Sequence, residues 1–213
     1  MNPMMMSNLM LLQCQIYSHG KCLRSSIIIC GQKPVARKLP PIFGVPLDSF
    51  DDIPYIVIKC CSEIEKRGYA IKGIYRVNGH VGRIRRLVRA LEFGPLLVDI
   101  TGAHVNDLTN VLKEYFRSLP DPLFMSSLYR SFINTAKSFH NLSETEREDR
   151  KDQIVNALIT VVDRMSVLHR RTLAFLMQHL RFIADNMQIN QMSSRNLGKF
   201  LLLSFPLEVT SSS

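Results

Sequence analysis

The chain has 213 residues, of which 46% are hydrophobic, enough to bury one ordinary core with short extensions. Lysine and arginine outnumber aspartate and glutamate 27 to 18, and the net charge of +9 suits an acidic protein, an anionic membrane or nucleic acid without choosing among them. The apolar start, Met1 to Leu12, lacks the basic leader and small-residue cleavage site of a signal peptide, and the run from Phe200 to Leu207 is far shorter than the roughly 20 residues of a membrane span.

The five cysteines, Cys14, Cys22, Cys30, Cys60 and Cys61, are an odd set. Cys60 and Cys61 fall inside a helical pattern, where buried thiols are the usual reading, so a reducing cytoplasm is expected. From Lys21 to Lys38 there are five basic residues and no acid, followed by Pro40 and Pro41, whose rings stiffen the chain; residues 31–41 read as a basic linker.

Beyond it the apolar spacing is helical. Ile53, Val57, Cys60, Cys61 and Ile64 set out a first helix, with Pro54 in its first turn and Gly68 just after it. A glycine-interrupted loop, Tyr69 to Gly79, follows, and helical spacing resumes at Ile84, Leu87, Val88 and Leu91 with Arg83, Arg85, Arg86 and Arg89 facing away as a solvated basic stripe. Val105, Leu108, Val111, Leu112, Tyr115 and Leu119 form another helix, stopped by Pro120 and Pro122, with Lys113 and Arg117 on one face.

Leu128, Phe132, Ile133 and Ala136 give a short helix. Ser143 and Glu146 make a capping box for a longer one with the stripe Ile154, Val155, Leu158, Ile159 and Val162. Leu173, Leu176, Met177, Leu180, Ile183 and Ala184 mark the next. Tyr115, Phe116, Phe132 and Phe175 recur at helical spacing without interleaved basic residues, so they read as core, not as a base-stacking platform. With no sustained alternation and no fixed-period repeat, the expected class is all-α.

The loop Gly73-Ile74-Tyr75-Arg76-Val77-Asn78-Gly79 lacks the Gly-Lys-Ser/Thr ending of a P-loop and follows a helix, so it is not expected to hold nucleotide itself. A lone surface arginine is usually a solvated charge, and the residues alone leave Arg76 there. Together, however, Phe43-Gly44-Val45-Pro46-Leu47, the Arg76 loop, the stretch from Leu112 to Leu123 and Met192-Ser193-Ser194-Arg195-Asn196-Leu197-Gly198 resemble, in order and spacing, the RhoGAP domain.

That resemblance implies a helical domain over residues 42–203 that activates a Rho-family small GTPase of Rho or Rac type in its GTP-bound state. It implies that Arg76 is an arginine finger, that Lys113 braces its loop, that Arg117 supports the loop and interface, and that Asn196 is a secondary contact at the GTPase surface. The chain would be an activator, not itself an enzyme. It would need no cofactor, because Mg2+ and GTP belong to the GTPase.

Cys14-x4-His19-x2-Cys22-x7-Cys30 resembles the closing half of a protein kinase C type diacylglycerol/phorbol-ester zinc finger, over residues 14–30, after a leader at 1–13 without domain character. The resemblance implies incomplete Zn2+ sites, since the opening ligands are missing, and zinc or anionic-membrane binding only in a complete parent protein. A finger followed by this domain resembles the chimaerins and, more closely, the RhoGAP subfamily that includes GEM-interacting protein and the minor-histocompatibility-antigen RhoGAP.

After Gly198 the family's Phe-Gly-Pro stretch is replaced by Lys199 to Glu208, so the resemblance implies an incomplete C-terminus and a divergent tail at 204–213. The alternative to an active domain is an impaired GTPase-binding module. Nucleic acid is not an expected partner, since only charge speaks for it.

Overall fold

In the computed structural model the chain divides into two units, residues 1–38 and 39–213. The structure describes residues 8–11, 16–19, 41–94 and 98–201. In the first unit β1 (Asn8–Leu11) pairs antiparallel with β2 (Ile16–His19), Asn8 opposite His19. Periodicity does not reveal this hairpin, whose strands are only four residues long. Cys14, Cys22 and Cys30 and the side chain of His19 lie outside the described residues, as do most of the linker and the tail at 204–213.

The second unit is all-α among its described residues. Its helices are α1 (Tyr55–Arg67), α2 (Val81–Phe93), α3 (Val105–Ser118), α4 (Tyr129–Ser138), α5 (Glu144–Asp149), α6 (Lys151–Val162), α7 (Val167–Asp185), α8 (Met187–Asn190) and α9 (Ser194–Leu201). No helix among the described residues is long and apolar enough to cross a membrane.

The centre is α3. Leu108, Val111, Leu112, Tyr115 and Phe116 on it are buried, and it packs against α1 through Val57, Cys60, Cys61 and Ile64 and against α2. Such a stripe is the main stabilising term, at about 1.5–3 kcal/mol for each large apolar side chain fully removed from water. The Cys60 thiol is pushed up to about 12 by burial, so it stays protonated and behaves as a small core hydrophobe.

Element ends follow the local chemistry. Gly68 caps α1 where an added Cβ would meet Val105 Cγ1 at 2.5 Å, so the glycine lets α1 end against α3. Leu119 leaves α3 in an extended conformation (φ −61°, ψ 128°), as a residue before proline must. The early motif locks onto the same end: Gly44 N donates to Ser118 Oγ (3.1 Å), and Phe43 meets Tyr115 edge-on.

The expectations change in three places. Pro54 is the N-cap of α1, one position before its first turn. The Ser143/Glu146 capping box starts only the short helix α5, and the chain breaks at Arg150 before α6 begins. On α6 three members of the expected stripe, Val155, Leu158 and Ile159, stand in solvent at 46%, 39% and 48% exposure; Ile154 and Val162 are half-buried as expected, and Ala157 and Val161 turn inward beside them. This helix is apolar around most of its circumference, so spacing alone could not choose the face.

Candidate functional site around Arg76

The chain leaves α1 at Gly68 and reaches Arg76 through a tight turn containing two left-handed residues, Gly73 (φ 72°) and Tyr75 (φ 68°). Glycine adopts that region freely, whereas a residue with a Cβ gives up about 1–2 kcal/mol and stays only where its surroundings hold it. Arg76 N and Val77 N both donate to Gly73 O, at 2.8 and 2.9 Å.

Tyr75 is held at both ends. Its carbonyl accepts from the buried Lys113 Nζ at 2.7 Å, and its buried hydroxyl lies 2.6 Å from His179 Nε2 on α7. His179 Nδ1 is in turn 2.7 Å from Glu65 Oε1 on α1. The Tyr75 ring also packs on Phe200 of α9, with centroids 4.8 Å apart. Burial, reinforced by the neighbouring Arg117 charge, pushes the Lys113 ammonium below the usual lysine range.

Asn190, fully buried at the end of α8, ties the loop to the rest of the domain. Its carbonyl accepts from Gly73 N at 2.8 Å. Its side-chain amide donates to Tyr69 O and Ile183 O, and its Oδ1 accepts from Met192 N.

The far end of the loop is clamped by Asp107. The Asp107 carboxylate, almost fully buried, accepts from His80 N at 2.8 Å and from Arg83 Nε at 2.5 Å. Burial opposes its ionisation, but these hydrogen bonds outweigh burial and hold the carboxyl below the usual range. Gly79 has to be glycine here, because a Cβ would sit 2.2 Å from Asp107 Oδ1 and 2.8 Å from Asp107 Cα. Arg83 is therefore not part of a solvated stripe: the pattern placed it on the outer face, but the buried carboxylate one helix away draws its guanidinium inward.

Arg76 itself is exposed, and its guanidinium folds back over Gly73, with Nη2 3.4 Å from where a Cβ would stand. Among the described residues no carboxylate pairs with it. Its backbone is pinned while its charge is available.

Arg76, Lys113 and Asn196 line one cleft of about 210 Å3 with Tyr75, Lys199 and Phe200. Ser193 Oγ accepts from Asn196 N at 3.3 Å, which starts α9 and sets where Asn196 projects. Arg117 does not join this cleft. It lines a separate groove between α2 and α3 with Arg85, Arg89, Glu114, Val81 and Ile84. Val77, which follows Arg76 in the loop, and Val81, which lines the α2–α3 groove, are exposed apolar side chains at 44% and 60%. Tyr75, His179, Asn190, Asp107 and the exposed Val77 and Val81 were not singled out in the sequence; the positive φ of Tyr75 and the contacts between distant helices are the only signals for the buried ones, and both are three-dimensional.

A helical domain that pins the backbone of an arginine, and leaves its side chain without a carboxylate among the described residues, in a cleft shared with Lys113 and Asn196 agrees with the relationships of this chain. The chain belongs to the RhoGAP domain family, whose model matches residues 54–205. It is 37% identical over 203 residues to Rho GTPase-activating protein 29 of Danio rerio, covering 87% of this chain and 15% of that protein. Its identity to GEM-interacting protein of Mus musculus is 33% over 193 residues, covering 87% of this chain and 20% of that protein. The chain thus spans only a small part of the length of the curated relatives it matches.

Among solved structures, human Rho GTPase activating protein 15 superposes with a TM-score of 0.68 at 26% identity, covering 78% of this chain and 77% of that one. The BH domain of GRAF, the GTPase regulator associated with focal adhesion kinase, gives 0.62 at 30% identity, over 73% and 80% of the two chains.

Proposed function

We propose that this domain is a GTPase-activating module for a Rho-family small GTPase of Rho or Rac type, engaging the GTP-bound state and supplying Arg76 in trans. The observation that carries the reading is the contrast at Tyr75–Arg76: Lys113 grips the Tyr75 carbonyl and His179 its hydroxyl, while the adjoining guanidinium is exposed and without a carboxylate among the described residues.

The chemistry suits that contrast. Phosphoryl transfer needs little covalent help but much positioned positive charge, and a planar guanidinium donates to two phosphate oxygens at once. A preplaced charge stabilises the transferring γ-phosphoryl group without reorganising when the reaction occurs. The GTPase supplies Mg2+, the nucleotide and the water-positioning side chain; the protein described here supplies the arginine and the surface that aims it.

Docking is supported by the surroundings. Asn196 and Lys199 lie in the same cleft as Arg76, a second groove carries Arg85, Arg89 and Arg117, and Val77, the residue after Arg76, and Val81 offer exposed apolar contact. A net charge of +9 speeds encounter with an acidic partner surface.

The test is single-turnover GTP hydrolysis by a panel of Rho-family proteins with the wild-type chain and with Arg76→Ala. An arginine supplied in trans is worth about 10³–10⁵ in rate. Equal stimulation by the two proteins, with binding intact, rejects the reading; binding without stimulation by either leaves the chain as a GTPase-binding module only.

A further inference from the structure

Three side chains from separate elements meet behind the finger loop: Glu65 on α1, Tyr75 in the loop and His179 on α7. We propose that Glu65, His179 and Tyr75 form an ordered hydrogen-bonded chain that positions Arg76, so that all three are positioning residues for the reaction proposed above, on which this inference rests.

The chain has one consistent direction. Burial pushes the Tyr75 phenol well above its usual range, so the hydroxyl stays protonated and donates. Burial also pushes the His179 imidazole below its usual range, more than the neighbouring Glu65 carboxylate raises it, so the ring is neutral. Its Nδ1–H donates to Glu65 Oε1 at 2.7 Å, which leaves the Nε2 lone pair to accept from Tyr75 at 2.6 Å. Glu65 therefore fixes the tautomer that Tyr75 requires.

A tyrosine and a histidine that merely satisfy one another in a core would give the same short contact. Two features set this pair apart. Tyr75 has a backbone φ of 68°, a conformation that must be held. Its carbonyl, in the peptide that carries the Arg76 amide, is gripped separately by Lys113 at 2.7 Å. Holding the side chain from α7 and the carbonyl from α3 fixes the orientation of the Tyr75–Arg76 peptide plane, from which the finger springs. The outer member of the chain reaches the surface: the Glu65 side chain is 39% exposed, against 1% for His179.

Tyr75→Phe removes one hydroxyl and keeps the ring. In single-turnover hydrolysis at saturating protein, with the GTPase that the wild-type chain stimulates most, it lowers the rate about 10- to 100-fold. The half-saturating concentration stays within about twofold of wild type, as expected for a group that acts on the reacting geometry and not on docking. In an Arg76→Ala background the same substitution has almost no further effect. His179→Gln, whose amide can accept from the hydroxyl, keeps most of the rate, and His179→Leu does not.

A full rate for Tyr75→Phe overturns the proposal, and so does an equal fold-loss with and without Arg76. If Arg76→Ala leaves stimulation intact, the functional reading fails while the positioning claim is still decided by amide exchange. Tyr75→Phe is expected to speed exchange at Arg76 and Val77 without speeding it at Val111 in α3. Unchanged exchange at Arg76 overturns the proposal on its own, and faster exchange at all three sites assigns the pair to general core stability and overturns it too.

Discussion

The ammonium of Lys113 donates to the carbonyl of Tyr75 across 2.7 Å, inside the domain and one residue before the exposed arginine. A lysine buried to 8% exposure is costly unless its charge has work to do, and among the described residues it pairs with no carboxylate but holds a backbone oxygen in place.

Lys113→Met should therefore cost stability and rate together. The Tyr75 carbonyl is left buried without its donor, at about 1–3 kcal/mol, which a urea melt will read as a lower midpoint. Because the same bond sets the finger peptide, the maximal hydrolysis rate on the responsive GTPase should fall as well. A loss of stability without any loss of rate in the folded fraction would mean that Lys113 is a core fixture only.

Gly79→Ala is the smallest change that disturbs the other end of the loop. The new methyl would collide with Asp107 Oδ1 and with the Asp107 and Asn106 backbone, which cannot retreat without moving α3. Overpacking of this kind typically costs about 1–3 kcal/mol. Thermal unfolding with and without the substitution measures it, and the Asp107–Arg83 contact should loosen in parallel.

Acid should weaken the domain through His179 before it reaches the carboxylates. A free histidine takes a proton near about pH 6.5, but buried His179 resists until lower pH, so between these points the unfolded chain holds more protons. Its contribution is fully present above about pH 6.5 and declines as pH falls through the depressed folded pKa. Asp107 has the same sign but in a window below about pH 3.9. Stability curves at neutral pH and near pH 5 should diverge less for His179→Gln than for the wild-type chain.

Arg76→Lys should not restore what Arg76→Ala loses. Lysine keeps the charge but replaces the rigid two-point fork with a single point on a flexible stem, and bidentate contact with a developing phosphoryl is lost. Single-turnover rates for the lysine and alanine variants are expected to resemble each other more than either resembles wild type. A near wild-type rate with lysine would show that net charge alone suffices.

Much of this was legible before any coordinates. The α1 and α3 stripes and their stops are local patterns, and the Arg76 loop, Lys113 and Asn196 stand in short motifs whose order resembles a known family. What spacing could not supply was direction. Lys113 and Arg117 lie one turn apart on α3, yet one turns inward to Tyr75 and the other lines the α2–α3 groove. Arg83 read as solvated because its partner, Asp107, sits on a different helix. The support behind Tyr75 was invisible for the same reason: its hydroxyl and His179 are 104 residues apart, and a histidine on an apolar helix face carries no sign of what it will meet. The misassigned face of α6 has another origin, since apolar residues surround that helix and only packing against α4 decides which of them are covered.

The buried Asn190 has a mechanical consequence. Its backbone and amide groups bind Tyr69 and Gly73 on one side and Ile183 and Met192 on the other, so one residue staples the finger turn to the entry of α9. Breaking any one of these bonds strands polar groups in the interior, which makes partial release costly and favours opening as a single event. Arg76 and Asn196, distant along the chain, are therefore expected to be released together, which amide exchange at the two residues would read.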